Sequence, residues 1–178
     1  MYPRALLLLF LALSLLPLQA QETYLDSKNH FTLQVPSDWS KSSNKSYCLV
    51  LSRGPAQLYV ATARGINIPD TVKKLNAEYR KSGGKLLEDT GFTINQVPAH
   101  MSAWKVGADS LISVVAVVGQ EGYLFLGAFP QGSTRTDVND VVEIIKSFRY
   151  TTQAAPVAKD PPTSDPYRDY FWDGFPED

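Results

Sequence analysis

The sequence predicts an α+β or α/β sandwich domain, in which two main helices accompany a mainly antiparallel sheet. Strand-like segments occupy residues 85–129, and the short turns between them indicate an antiparallel meander. Residues 69–81 and 136–148, before and after this meander, carry apolar side chains at helical spacing. Long helices beside such a sheet argue against a doubly wound nucleotide-binding fold.

The first twenty residues have the layout of a secretory signal peptide. Arg4 supplies a positive charge, residues 5–16 form an apolar run, and Ala20 is small. The run is about a dozen residues long, whereas a helix needs roughly 20 to span a bilayer. We therefore expect cleavage after Ala20, no membrane span, and a periplasmic or secreted location. Leu18 is the third residue before the expected cleavage site, where a small residue is usual. An uncleaved anchor is therefore the alternative.

Removal of residues 1–20 leaves a domain at 21–150 and a tail at 151–178. The domain has 14 Lys and Arg against 12 Asp and Glu, whereas the tail has 2 against 6. Neither part shows the clustered basic residues that bind phosphates, so no nucleic-acid partner is predicted. Cys48 is the only cysteine, and its apolar neighbours predict that it is buried and chemically inert.

The first half of the domain is predicted to begin with three strands. Residues 31–35 alternate apolar and polar side chains and end at the turn residues 36–38, which indicates a half-buried strand. Residues 48–52 and 57–62 predict two strands of a hairpin. The sequence Arg53-Gly54-Pro55 between them favours a turn.

Two helices are predicted from their apolar stripes and their ends. In the first, over residues 69–81, Asp70 lies near the start, where a negative charge suits the helix dipole. In the second, over residues 136–148, Thr136 or Ser133 can cap the first turn. The apolar stripe of the second helix predicts that it is the main cover of the core, and its members are Val138, Val141, Val142, Ile145 and Phe148.

The meander is predicted to contain five strands, with turns at Thr90-Gly91 and Val97-Pro98 among others. Residues 111–118 and 122–128 are apolar on both faces, so these strands should be central and covered on both sides. The predicted strands are 85–89, 91–96, 99–106, 111–118 and 122–128.

Three segments of the domain resemble the PsbP-like group of proteins: residues 31–39 (FTLQVPSDW), residues 97–99 (VPA), and the last helix running into Ser147-Phe148. This group includes the photosystem II extrinsic protein PsbP, the Ran-binding Mog proteins and many secreted bacterial proteins. The resemblance spans about residues 23–150 and implies an α/β/α sandwich around an antiparallel sheet. It also implies a binding or assembly factor and not an enzyme. The chain lacks the lipobox cysteine of lipoprotein members, so no particular partner is implied.

The sequence contains few residues suited to catalysis or metal binding. Its only histidines are His30 and His100, and neither belongs to a metal-binding motif. Glu88 and Asp89 are adjacent in a strand and point to opposite faces, which argues against an acid/base pair. We therefore predict no catalytic residue, no cofactor and no metal. Two alternatives stay open: a hydrolase using His100 or His30, and a small-ligand or lipid carrier with its pocket on the apolar sheet face opposite the helices.

The tail leads to the main functional hypothesis. After Tyr150, a stretch rich in Ala and Pro predicts a disordered linker. Aromatic anchors supply much of the energy of an interface, and acidic neighbours steer the encounter with a basic surface. We predict a non-enzymatic binding or assembly module whose tail recognises a protein partner, with packing of the tail on the domain's own apolar sheet face as the alternative. The predicted partner-binding residues are Tyr167, Tyr170, Phe171, Trp172 and Phe175.

Overall fold

A computed structural model describes residues 20–151 of the chain. Of the predicted signal peptide (1–20) only Ala20 is described, and of the predicted tail (151–178) only Thr151. The elements in chain order are β1 (Gln21–Asp26), β2 (Phe31–Pro36), β3 (Ser40–Ser42), β4 (Leu49–Arg53), β5 (Ala56–Arg64), α1 (Ile68–Lys81), β6 (Lys85–Ile94), β7 (Val97–Val106), β8 (Asp109–Val118), β9 (Glu121–Phe129), α2 (Arg135–Lys146) and β10 (Arg149–Tyr150).

Two antiparallel sheets contain all strands of the described chain. The large sheet has seven strands in the order β3-β4-β5-β9-β8-β7-β6, and the small sheet has the order β1-β2-β10. Every pair of neighbouring strands is antiparallel. The predicted α+β class with a mainly antiparallel sheet is therefore confirmed.

The large sheet is covered on both faces. Helix α1 packs on one face against β6, β7 and β8. Helix α2 packs on the other face against β5, β9 and β2, and so shares this side with the small sheet. The α/β/α sandwich implied by the resemblance is thus present, with the small sheet as an addition to one outer layer.

The meander differs from the prediction at β6. The predicted strands 85–89 and 91–96 form one strand, in which Gly91 stays extended and pairs with His100. The turn after it consists of Asn95 and Gln96, both with positive φ, and not of Val97-Pro98. Proline has no backbone N–H to donate to a neighbouring strand. Pro98 is nevertheless compatible with β7, because the pairing of β7 with β8 begins only at Ala99.

Helix α2 starts with a capping box that the sequence prediction missed. Thr134 and not Thr136 or Ser133 is the N-cap: its Oγ1 accepts a hydrogen bond from the Asp137 backbone nitrogen at 3.2 Å. In return, Asp137 Oδ2 accepts from the Thr134 backbone nitrogen at 2.6 Å. The two reciprocal bonds satisfy donors that would otherwise have no partner at the helix start.

The predicted apolar stripe of α2 is buried along its centre and half-buried along one side. Val141, Ile145 and Phe148 are at most 3% exposed, as is Ile144, which the prediction did not include. Val138 and Val142 are half-buried. The buried face is therefore rotated toward Ile144, and the side that carries Val142 borders an open part of the sheet.

Candidate functional site

An apolar groove of about 220 Å³ opens between α2 and the strands β6, β7 and β8. It forms because α2 packs mainly on β5, β9 and β2 and leaves the outer strands of this face less covered. Strand register places the floor residues on one face of the sheet, since Met101 pairs with Val114 and with Thr90. The lining consists of Thr90, Phe92, Met101, Ile112, Val114, Val142, Ile145 and Lys146.

Charged groups lie only at the rim of this groove. The Lys146 Nζ is 2.8 Å from Glu143 Oε1, and both side chains are more than half exposed. The backbone carbonyls at this end of α2 are bonded as well, because Asn95 Nδ2 donates to the carbonyl oxygens of Lys146 at 2.9 Å and Phe148 at 2.8 Å. The groove can therefore receive an apolar group without burying a charge.

The opposite face of the sheet, under α1, holds a polar cluster around Asp89. Its Oδ1 is 2.7 Å from His100 Nε2, and it accepts a hydrogen bond from Ser102 Oγ, also at 2.7 Å. Burial raises the pKa of Asp89, but hydrogen bonds from His100, Ser102 and Asn76 outweigh it and hold this pKa below its ordinary value. The carboxylate is therefore the acceptor at the centre of the cluster.

The geometry of this cluster does not match that of a serine hydrolase. Such an enzyme needs a serine hydroxyl bonded to the base that activates it. Ser102 instead donates to the carboxylate that also binds His100, and it is only 2% exposed. The cluster ties β6 to β7 and gives no support to a hydrolase that uses His100.

His30 lies elsewhere, at the edge of the small sheet. It has a positive φ of 57° and its carbonyl accepts a hydrogen bond from Thr151 N at 2.8 Å. Its ring lies edge-on to Tyr150 at a centroid distance of 6.3 Å. Residues 20–151 contain no group of three or more His, Cys, Asp or Glu side chains placed to hold a metal ion. Within the same residues, neither helix has the length and apolar character needed to cross a bilayer.

Cys48 is half-buried, whereas the sequence predicts a buried thiol. It forms part of the wall of a polar cleft of about 290 Å³, together with Asp26, Asn29 and Thr62 among others. Its Sγ donates to the Val60 carbonyl at 3.1 Å. Burial, with a smaller contribution from Asp26, raises the thiol pKa to about 12. The thiolate, which is the reactive form, is therefore scarce at neutral pH.

We expect thiol reagents to modify Cys48 slowly in the native protein at neutral pH and rapidly after unfolding. The raised pKa and the bond to Val60 both keep the sulfur protonated. Mass spectrometry of the protein after timed exposure to iodoacetamide, with and without urea, measures the two rates. Equal rates in the two conditions would contradict the prediction.

An ionic network that the sequence analysis missed connects α2 to the hairpin β4-β5. Arg53 Nη2 donates to Asp137 Oδ1 at 2.8 Å and Nη1 donates to Asp38 Oδ2 at 2.9 Å. Nη1 also lies 2.6 Å from Asp140 Oδ2, and the guanidinium is 5.0 Å from the centre of the Trp39 ring. Although burial opposes it, hydrogen bonding to the three carboxylates raises the pKa of Arg53.

Comparison with solved structures gives the class of the domain. Cyanobacterial PsbP (CyanoP) from Synechocystis superposes with a TM-score of 0.59 at 12% identity, covering 76% of this chain and 95% of that chain. LpqN of Mycobacterium tuberculosis, described as involved in cell envelope biogenesis, superposes with a TM-score of 0.57 at 12% identity. The match covers 74% of this chain and 91% of LpqN. A Bacteroides thetaiotaomicron protein superposes with a TM-score of 0.53 at 11% identity, and the match covers 76% of this chain and 50% of that chain. The domain is thus an antiparallel sandwich of the type shared by these proteins.

This sandwich has a PsbP-like fold, which confirms the fold implied by the resemblance of residues 31–39, 97–99 and 147–148. No protein-family model and no curated protein sequence matches the chain. Because the sequence identities are only 11–12%, the likeness to these proteins concerns the fold alone. The predicted partner-binding residues lie outside the described residues and stay a prediction: Tyr167, Tyr170, Phe171, Trp172 and Phe175.

Proposed function

We propose that the chain is a non-enzymatic binding or assembly module that acts outside the cytoplasm and recognises a protein partner through residues 167–175. One observation carries the proposal. Two polar clusters of the domain, around Asp89 and Arg53, are occupied by internal contacts, whereas residues 167–175 concentrate five aromatic side chains. This concentration of aromatic side chains supports recognition through the tail.

Two further observations support the location and the class. The N-terminal residues 1–20 have the pattern of a secretory signal. LpqN, which shares the fold, is described as involved in cell envelope biogenesis. A role in assembly or binding at the envelope agrees with both.

The physical basis of the proposed recognition is aromatic anchoring assisted by charge. Tyr and Trp residues dominate the energy of many interfaces, because they bury a large area at low cost in conformational entropy. The tail contains six acidic and two basic side chains, so it is attracted to a basic partner surface. This attraction weakens as salt screens the charges.

A pull-down from the envelope fraction of the source cells, with cross-linking and mass spectrometry, tests the proposal. We compare the full chain with a variant in which the five tail aromatics are replaced by Ser. Loss of two or more anchors should weaken capture of the same partner by about 30-fold or more. Added salt should weaken capture by the full chain.

A matched control keeps the aromatics and changes the linker, with Pro156, Pro161, Pro162 and Pro166 replaced by Ser. This control should retain the partner, and truncation after Ala155 should lose it. A partner captured equally well by the five-Ser variant would overturn tail recognition.

The apolar groove favours a second candidate, a carrier of a small apolar ligand. At about 220 Å³ the groove lies below the range of roughly 300–1,000 Å³ that is usual for ligand pockets, so the ligand would be small. Native mass spectrometry of protein purified from the source cells measures any added mass. A stoichiometric ligand that is lost on Val114→Phe, which fills the groove, would favour the carrier.

A further inference from the structure

We propose that the groove between α2 and the strands β6–β8 is the docking site for the aromatic segment 167–175 of the same chain. The docking does not require the partner proposed above. If both exist, however, the groove and the partner compete for the same aromatic side chains.

The walls of the groove suit an aromatic guest. Phe92 offers a ring, and aromatic rings prefer to pack against each other edge-to-face or offset. Met101 offers a flexible thioether, which makes favourable contacts with aromatic rings. Phe92, Met101 and Ile112 are each only half-buried, so a guest ring would remove more of their apolar surface from water.

The size of the groove limits how much of the segment can enter. An apolar cavity of about 150 Å³ accommodates benzene, and this groove measures about 220 Å³. It therefore accepts one aromatic ring with its immediate neighbours, and the other aromatics of the segment lie along the rim.

The tether is long enough to reach the groove. Thr151, the last described residue, is held by its hydrogen bond to the carbonyl of His30, and fifteen residues separate it from Tyr167. These span up to about 50 Å when extended, whereas a domain of this length has a radius of gyration of roughly 14 Å. A tether of this kind gives an effective concentration of the order of millimolar, which favours docking within the chain.

The charges of the two parts are complementary. The tail has six acidic side chains against two basic ones. Lys146 borders the groove and Arg149 follows α2, and both are exposed. Lys146 forms an ion pair with Glu143, but both side chains are exposed. Exposed ion pairs contribute little to stability, so Lys146 can exchange Glu143 for an acidic side chain of the tail.

Methyl NMR of the full chain tests the docking directly. Methionine occurs only at Met1 and Met101, so labelling of methionine methyl groups places a reporter in the groove. A docked ring should shift the Met101 methyl resonance by its ring current. Replacing Tyr167, Tyr170, Phe171, Trp172 and Phe175 together by Ser should move this resonance to a new position.

The linker variant with Pro156, Pro161, Pro162 and Pro166 replaced by Ser is the matched control, and its Met101 resonance should coincide with that of the unchanged chain. An identical Met101 resonance in the five-Ser variant and the unchanged chain overturns the proposal. So does a difference that disappears on dilution, because it would show that the tail of a second copy occupies the groove.

The outcomes separate this inference from the proposed function. If Met101 does not respond to the five substitutions but partner capture does, the docking is wrong and partner recognition stands. If Met101 responds but capture does not, the docking stands and the tail serves the domain's own surface.

Discussion

Replacement of Arg53 by Met should lower the free energy of unfolding by about 3 kcal/mol. Removing one member of a buried ion pair leaves the other charge without compensation, which typically costs about 3–5 kcal/mol. The Asp137 and Asp140 side chains are 9% and 18% exposed, and that of Arg53 is 19% exposed, so the lower end of this range applies. Urea unfolding followed by circular dichroism measures the loss.

Arg64→Met is the matched control for this change. Arg64 Nε pairs with Glu121 Oε1 at 2.9 Å, but the arginine side chain is 69% exposed. Exposed pairs contribute less than about 1 kcal/mol, so this variant should stay close to the unchanged protein. Equal losses in the two variants would show that the Arg53 network is not a buried one.

The Arg53→Met variant should also lose less stability in acid than the unchanged protein does. Burial raises the pKa of Asp137, but bonds from the backbone and side chain of Thr134 and from Arg53 outweigh it and lower this pKa. A carboxyl whose pKa is lowered on folding stabilises the protein above its unfolded pKa of about 3.9, and this contribution is lost as pH falls through the folded pKa. Without Arg53 the pKa is lowered less, so the acid slope should be shallower. Unfolding free energies between about pH 5 and pH 2 measure the slope, and identical slopes would contradict the assignment.

Phe148→Ala should lower the free energy of unfolding by about 3–5 kcal/mol, the usual cost of removing a buried phenyl ring. Phe148 is 0% exposed and joins the two sheets, because its ring lies 6.2 Å from that of Phe31 and 5.4 Å from that of Phe125. Tyr123 is nearer still, at 4.8 Å. Urea unfolding measures this loss as well.

Leu25→Ala is a suitable control, since Leu25 is 57% exposed on β1 and should change stability by no more than about 0.5 kcal/mol. A small loss for Phe148→Ala would mean that the small sheet is held to the large one by other contacts.

Periodic segments of the chain could be predicted from the sequence, and short exposed ones could not. The alternation in 31–35 and the apolar stripes of both helices identified β2, α1 and α2 because burial imposes a regular pattern. Strand β1 was missed because its side chains are exposed or half-buried and show no such pattern. Strand β10 has only two residues, and it exists through pairing with β2.

The polar cluster around Asp89 could not be predicted, because it depends on strand register and no local sequence pattern shows the register. Alternation places His100 and Ser102 on one face of β7, but their contact with Asp89 requires the pairing of β6 with β7. That register is set by the two-residue turn Asn95-Gln96, in which both residues have positive φ. Asn-Gln is a weaker turn signal than Asn-Gly, so the turn was predicted two residues too late.

The groove could be anticipated only in part. Apolar residues on both faces of 111–118 predicted cover on both sides of β8, and the structure confirms it for residues 114–116 but leaves Ile112, at the groove, half-buried. Which strands α2 covers depends on contacts distant in the sequence, such as those of Arg53 with Asp137 and Asp140. These contacts hold the start of α2 over the β4-β5 side of the sheet and thereby leave the β6–β8 side open.

The two outer strands of the large sheet protect the protein against self-association. Free strand edges are templates for aggregation, and natural proteins interrupt them with charges, bulges or short strands. Strand β3 has three residues, and the register of β6 shifts between Leu86 and Glu88 beside the charged Asp89. Edge-to-edge polymerisation is disfavoured at both ends, so associations of this domain are directed to its side-chain surfaces.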